Sequence, residues 1–200
     1  MKMNSLSLFP SLFHMIEGDN FAEIRNNLID WIYDYKSKNT SESKSNKGGW
    51  QSDAYFIQKD NSFSPFFKYV EEILQEYSKV YSERTKFSLK NAWINVNPPG
   101  TYNTTHTHPQ STISGVLWIK CPENCGNIVF ESPVDYTQQE LMEKTKLDIT
   151  SKFNYFPTYY FNPEEGAMIL FPSDIRHSVE ENLSSEDRIS IAFNLEFVRG

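Results

Sequence analysis

Residues 187–198, "DRISIAFNLEFV", alternate polar or small side chains with large apolar ones. Successive side chains of a β-strand point to opposite faces, so Arg188, Ser190 and Ala192 share one face and Ile189, Ile191 and Phe193 the other. The second face reads as core. The first carries an arginine that must reach solvent or meet an anion, because an unpaired charge inside a protein is costly. A planar guanidinium beside a serine hydroxyl suits a carboxylate, which the fork grips through two nitrogens. A salt bridge to Asp174, Glu186 or Asp187 would also satisfy Arg188, and Ser190 alone is an ordinary small core residue.

Upstream of this strand the same signature recurs. "FSLKNAWINV" (87–96), "STISGVLWIKC" (111–121), "NIVFES" (127–132), "YYFNP" (159–163), "GAMILFPS" (166–173) and "RHSVEEN" (176–182) are short runs rich in Ile, Val, Phe, Tyr and Trp, separated by Pro, Gly, Asn and Ser. Before residue 86 the period changes. Phe21, Ile24, Leu28, Ile29, Ile32 and Tyr33 fall at helical spacing over 20–37, with Asp19 or Asn20 available to cap the start. A second amphipathic helix is expected over about 63–83, carried by Phe66, Phe67, Val70, Ile73, Leu74 and Tyr77. Between them "KSKNTSESKSNKGG" (36–49) holds no apolar residue and reads as a polar, mobile loop. The charged insert 136–148 has room for a short helix.

Helices first and seven or eight strands later, without alternation, predict an α+β chain that is mainly β. Its strands would form a sandwich or jelly-roll barrel rather than a parallel βαβ sheet. A chain of 200 residues is expected to be one domain, with 1–85 as a helical support region and 86–200 as the jelly-roll core.

Composition narrows the function classes. Aromatics reach 15% of a chain that is 38% hydrophobic, which is globular rather than disordered. A formal net charge of −7 and the lack of any Lys/Arg-rich run argue against a nucleic-acid face. No apolar stretch approaches the roughly 18 residues of a membrane span, and the N-terminal stretch makes a poor signal peptide. The cytoplasm is the expected compartment. Cys121 and Cys125 in "KCPENCGN" allow a disulfide or half a zinc site, but no second Cys/His pair follows at zinc-finger spacing. They are expected to be two free thiols in a turn.

Two of the four histidines, His106 and His108, stand one residue apart in "TTHTHPQSTISGVLWI" (104–119). On a strand they would face the same side and could occupy adjacent positions around one metal ion. Taken alone the motif is weak, and a surface or hydrogen-bonding role fits that pair better. His177 ends the Gly-initiated run "GAMILFPSDIRH", and Arg188 follows it by eleven residues. His14 lies far from these strands and is expected to be structural or exposed.

Taken together these motifs resemble the iron(II)/2-oxoglutarate-dependent oxygenases, and more narrowly a group of uncharacterised bacterial and phage members. "LFPSLF", "GGWQSD", "AWINVNPPGTYNTTHTHPQSTISGVLWI" and "FNPEEGAMILFPSDIRHSVEENLSSEDRISIAFN" carry the resemblance in order, over nearly the whole chain. It implies a double-stranded β-helix with supporting N-terminal helices, Fe(II) as metal, 2-oxoglutarate as cosubstrate and O2 as oxidant. His106, His108 and His177 are implied as metal ligands. Arg188 and Ser190 would bind the distal carboxylate of 2-oxoglutarate, with Tyr102 and Asn95 lining the pocket. No catalytic residue is implied beyond the ligands.

The chain departs from the superfamily at one position. The usual carboxylate ligand, two residues after the first histidine, is His108 or Gln110 here. Three arrangements stay open: a three-histidine site, His108 and His177 with water, or an acid such as Glu131 or Asp174 from elsewhere. The resemblance implies a dioxygenase that hydroxylates a C–H bond of a peptidyl (for example prolyl) or small-molecule substrate, coupled to decarboxylation to succinate. A non-catalytic metal- or acid-binding sensor and a metal hydrolase are the competing classes. A homodimer is compatible with the sequence; nucleic-acid and membrane partners are not expected.

Overall fold

A computed structural model describes residues 11–42, 44–55, 63–82, 84–134 and 156–199. The helix expected in the insert 136–148 lies outside these residues. Eleven strands are described: β1 (His14–Glu17), β2 (Asn46–Lys47), β3 (Trp50–Gln51), β4 (Thr85–Asn97), β5 (Tyr102–His106), β6 (Ile113–Lys120), β7 (Ile128–Glu131), β8 (Thr158–Phe161), β9 (Ala167–Pro172), β10 (His177–Val179) and β11 (Arg188–Arg199). Two helices, α1 (Phe21–Lys38) and α2 (Ser64–Tyr81), match the helical periodicity closely. Asn20 stands at the start of α1 in a left-handed conformation, with no side-chain capping bond.

The strands form a six-stranded sheet in the order β1-β9-β6-β11-β4-β3 and a five-stranded sheet in the order β2-β5-β10-β7-β8, with antiparallel pairings throughout. β11 lies inside the large sheet, and its two faces do what its alternation predicts. Ile189, Ile191, Phe193 and Leu195 join a core with Leu28 and Ile32 of α1 and Phe66, Val70 and Leu74 of α2. Ala192 faces the other way, into a second core with Val116, Trp118, Phe130 and Phe171. The helices thus cover one face of the large sheet, and the small sheet faces the other. The architecture is a mainly β, α+β double-stranded β-helix.

One sequence expectation changes. The polar stretch 36–49 is not simply a loop, because β2 pairs with β5 of the small sheet and β3, three residues on, pairs with β4 of the large one. Its Asn46 is buried and donates from Nδ2 to the Trp50 carbonyl (3.3 Å), while Asn97 Nδ2 donates to Asn46 Oδ1 (3.1 Å). Carboxamides satisfying one another let a segment without apolar residues dock. The N-terminal part therefore contributes three strands as well as the helices.

Gly115 in β6 marks a close approach. A Cβ there would lie 2.5 Å from Phe193 Cε2 and 2.7 Å from Leu170 Cδ2, both in fully buried side chains. Gly115→Ala is expected to lower unfolding free energy by about 1–3 kcal/mol through overpacking. Urea denaturation measures this, and an unchanged midpoint would show that the Phe193 ring yields freely.

Candidate metal centre and anion pocket

His106 and His177 oppose each other directly across β5 and β10, so their side chains leave the small sheet on one face. His108 comes two residues after β5 ends. There its backbone N–H donates to Ser173 O (2.9 Å), which turns the chain toward the large sheet. The pair thus straddles a strand end, yet it converges. Candidate ligand atoms of His106, His108 and His177 all lie within 4.8 Å of one another.

Each ring is held from behind. Nδ1 of His106 donates to Thr104 O (2.8 Å) and Nδ1 of His177 to Ile175 O (2.9 Å). A carbonyl can only accept, so both rings carry their proton on Nδ1 and keep the Nε2 lone pair for a ligand. His108 Nδ1 meets Asn194 Oδ1 (2.9 Å) and Ser114 Oγ (2.6 Å). Asn194 Nδ2 donates to Asn91 Oδ1 (2.9 Å), which turns its oxygen toward His108 and fixes the same tautomer. His108 Nε2 is buried and has no hydrogen-bond partner among the described residues. A buried nitrogen left with a lone pair is costly in a dry core and suited to a metal.

Burial sets the charge of the cluster. Desolvation lowers the pKa of His106, and with repulsion from His106 it pushes His108 down to about 4 and His177 to about 3, against an ordinary 6.5. All three are therefore neutral near pH 7, and no proton competes for the lone pairs. Below pH 6.5 the unfolded chain takes up protons that the folded chain refuses. Stability present above that pH is thus lost as the pH falls toward 4 and then 3. Urea midpoints of metal-free protein should drop between pH 7 and pH 4, with a slope of up to about 1.4 kcal/mol per pH unit per histidine. A flat profile would show that the cluster is hydrated rather than dry.

The histidines share a cavity between the sheets, with about 480 Å³ of atom-free space including its mouth. Asn95, Arg188 and Ser190 also line it, as the alternation of β4 and β11 dictates. Arg188 is 2% exposed. Its Nη1 donates to the carbonyls of Cys125 and Glu180, and its buried Nη2 has no partner among the described residues. The carboxylates that competed for it are elsewhere: Glu186 binds Lys120 (2.7 Å), Asp187 accepts from Tyr33 (3.0 Å) and Asp174 is exposed. Glu131, the other acid considered as a ligand, binds Arg176 (2.9 Å). A desolvated guanidinium facing a cavity without a counter-charge is a site prepared for an anion.

Tyr102 is placed differently from the rest. It is 44% exposed and does not line the cavity; Asn103 does. The register slips between His177 and Val179, which pair with His106 and Asn103, so three steps on β5 match two on β10. Such a bulge swaps the faces beyond it. Asn103 and Ser45 are cavity residues that sequence reasoning missed, and Ser114 stands behind His108.

Comparison with known proteins agrees with this geometry. The model of the family described as "Putative 2OG-Fe(II) oxygenase" matches residues 91–194, which include all three histidines, Arg188 and Asn194. No curated protein matches the sequence. Among solved structures, a Pseudomonas putida prolyl-4-hydroxylase is similar at TM-score 0.60 and 11% identity, over 94% of this chain and 92% of that one. HygX from Streptomyces hygroscopicus, solved with nickel and 2-oxoglutarate bound, gives 0.61 and 9% over 92% and 82%. A Trichoplax adhaerens prolyl hydroxylase, in complex with a hypoxia inducible factor peptide fragment, gives 0.64 and 10% over 94% and 83%. These likenesses establish the fold. With the family match spanning just over half of the chain, the protein belongs to the 2OG-Fe(II) oxygenases, oxidoreductases that use Fe(II), 2-oxoglutarate and O2.

Proposed function

We propose that His106, His108 and His177 hold one ferrous ion through their Nε2 atoms, and that Arg188 and Ser190 receive the distal carboxylate of 2-oxoglutarate. The observation that carries this reading is a pair of buried nitrogens without partners, His108 Nε2 and Arg188 Nη2, in side chains that line one cavity. One fits a metal, the other an anion. Iron and keto acid, when bound, supply an oxidant able to attack an unactivated C–H bond, with decarboxylation of the keto acid to succinate.

The chain's own residues position and shield. Thr104 O, Ile175 O and Asn194 Oδ1 hold the Nδ1 protons, so the three rings present fixed lone pairs. Asn95 lies opposite Ser190 on the paired strand and is placed to hydrogen-bond the same bound acid. Val116, Trp118, Ile128 and Val179 keep the cavity wall apolar, which strengthens the Arg188–carboxylate contact. Trp93 packs edge-to-face with His108, ring centroids 5.3 Å apart, and limits how that imidazole can turn.

The reaction is hydroxylation of a peptidyl or small-molecule substrate. The prolyl hydroxylases among the structural neighbours support a peptidyl substrate, prolyl included. No helix among the described residues is long and apolar enough to cross a membrane. A hydrolase would need a general base beside the ion, and the nearby Glu131 is engaged with Arg176.

Anaerobic addition of Fe(II) and 2-oxoglutarate should give a weak visible absorption band, and later admission of oxygen should yield succinate. Absence of both from folded protein would overturn the reading.

A further inference from the structure

Arg188 hangs from a thiol-bearing turn. Its Nη1 donates to Cys125 O and Glu180 O, on two loops that are zipped together. Leu183 N–H donates to Asn124 O (3.0 Å), Glu180 N–H to Asn127 O (2.9 Å), and Asn127 Nδ2 to the Glu180 carboxylate (2.7 Å). Gly126, at φ 88°, lies where a Cβ would come within 2.7 Å of both Glu180 O and Glu181 O. Packing this tight transmits a shift of Cys125 instead of absorbing it.

The same turn, closed by Cys125 N–H donating to Pro122 O (3.2 Å), carries Cys121 and Cys125 on its two sides. Cys121 is partly exposed, Cys125 buried, and both sit in the field of Arg188. The pair therefore joins a redox-competent group to the residue assigned above to the cosubstrate.

We propose that Cys121 and Cys125 are an oxidation site, closed to a disulfide by a peroxide, and that closure weakens 2-oxoglutarate binding by displacing the Cys125 carbonyl from Arg188. The inference rests on Arg188 as the keto-acid anchor. Interaction with Cys121 and the Arg188 guanidinium both favour a thiolate at Cys125, against the cost of burial, and lower its pKa while Cys121 is pushed up. Cys125 sulfur attacks a peroxide oxygen; the S–O bond forms as O–O breaks, and hydroxide leaves to become water on protonation. Cys121 sulfur then displaces that oxygen from the Cys125 sulfenic acid. The S–S bond forms, S–O breaks, and a second water carries away the Cys121 proton. Two electrons pass from the thiols to the peroxide. A disulfide fixes its two sulfurs about 2.05 Å apart, so closure constrains the turn that carries the Cys125 carbonyl.

The test uses the full chain, metal-free during treatment with hydrogen peroxide, then freed of oxidant and loaded with Mn(II). Intact mass should fall by two hydrogens, with both thiols lost to thiol reagent. Calorimetric affinity for 2-oxoglutarate should fall about tenfold, as for loss of one hydrogen bond to a charged group, and recover with dithiothreitol. The Cys121→Ser and Cys125→Ser variants should keep their affinity through the treatment. A disulfide that forms without changing affinity, or oxidation to sulfinic acid instead, overturns the switch alone. Reduced protein that binds no 2-oxoglutarate overturns the assignment of Arg188 and the switch with it.

Discussion

An Arg188→Met variant is expected to bind 2-oxoglutarate roughly 30- to 3,000-fold more weakly, the range for truncating one partner of a buried, hydrogen-bonded charge pair. The methionine fills most of the volume, so the loss isolates the charge and the fork. Stability should barely move in the free protein. Removing a desolvated guanidinium relieves a penalty of several kcal/mol, and leaving Cys125 O and Glu180 O unbonded costs about 1–3 kcal/mol each, so the two largely cancel. Arg188→Lys keeps the charge but loses the planar fork and should fall between the two. Calorimetric titration of the metal-loaded variants, beside urea midpoints of the metal-free ones, separates these effects. Unchanged affinity in Arg188→Met would remove the keto acid from this end of the cavity.

The second large effect is expected at the histidines. His108→Ala should weaken divalent metal binding by more than about 100-fold, beyond the usual loss for an outer-shell partner. Asn194→Ala leaves all three imidazoles in place and removes a carboxamide oxygen that orients His108, so about 10- to 100-fold is expected there. His106→Ala decides between the ligand sets. A loss matching that of His108→Ala means three imidazoles share the ion, whereas near-native affinity means that two histidines suffice. Titration with Fe(II) under anaerobic conditions, or with Mn(II) in air, reads all three variants without requiring turnover.

Much of this arrangement was legible in the residues. The two-residue period of 187–198 put Arg188 and Ser190 on the face opposite the apolar row, and both line the cavity, because a strand buried on one side by helices admits only one register. His108 and His177 were legible as polar residues beside apolar strands. Tyr102 was not, since a slipped register is a property of two strands together, and no pattern within β5 announces it. Asn46 was hidden for a related reason: a stretch without apolar residues reads as solvated, and only the facing carboxamides of Asn95 and Asn97 show why it is buried.

The division of the histidines between sheets has a mechanical consequence. His106 and His177 are carried by the five-stranded sheet, while His108 is tied by hydrogen bonds to β6 and β11 of the six-stranded one. An ion shared by the three would rivet the two layers together at mid-cavity. Without it, the hydrogen bonds of His108 to Ser173 O, Ser114 Oγ and Asn194 Oδ1 are what hold that point closed. The layers should then part there first, and amide exchange at His108 would register the opening before any strand of the core unfolds.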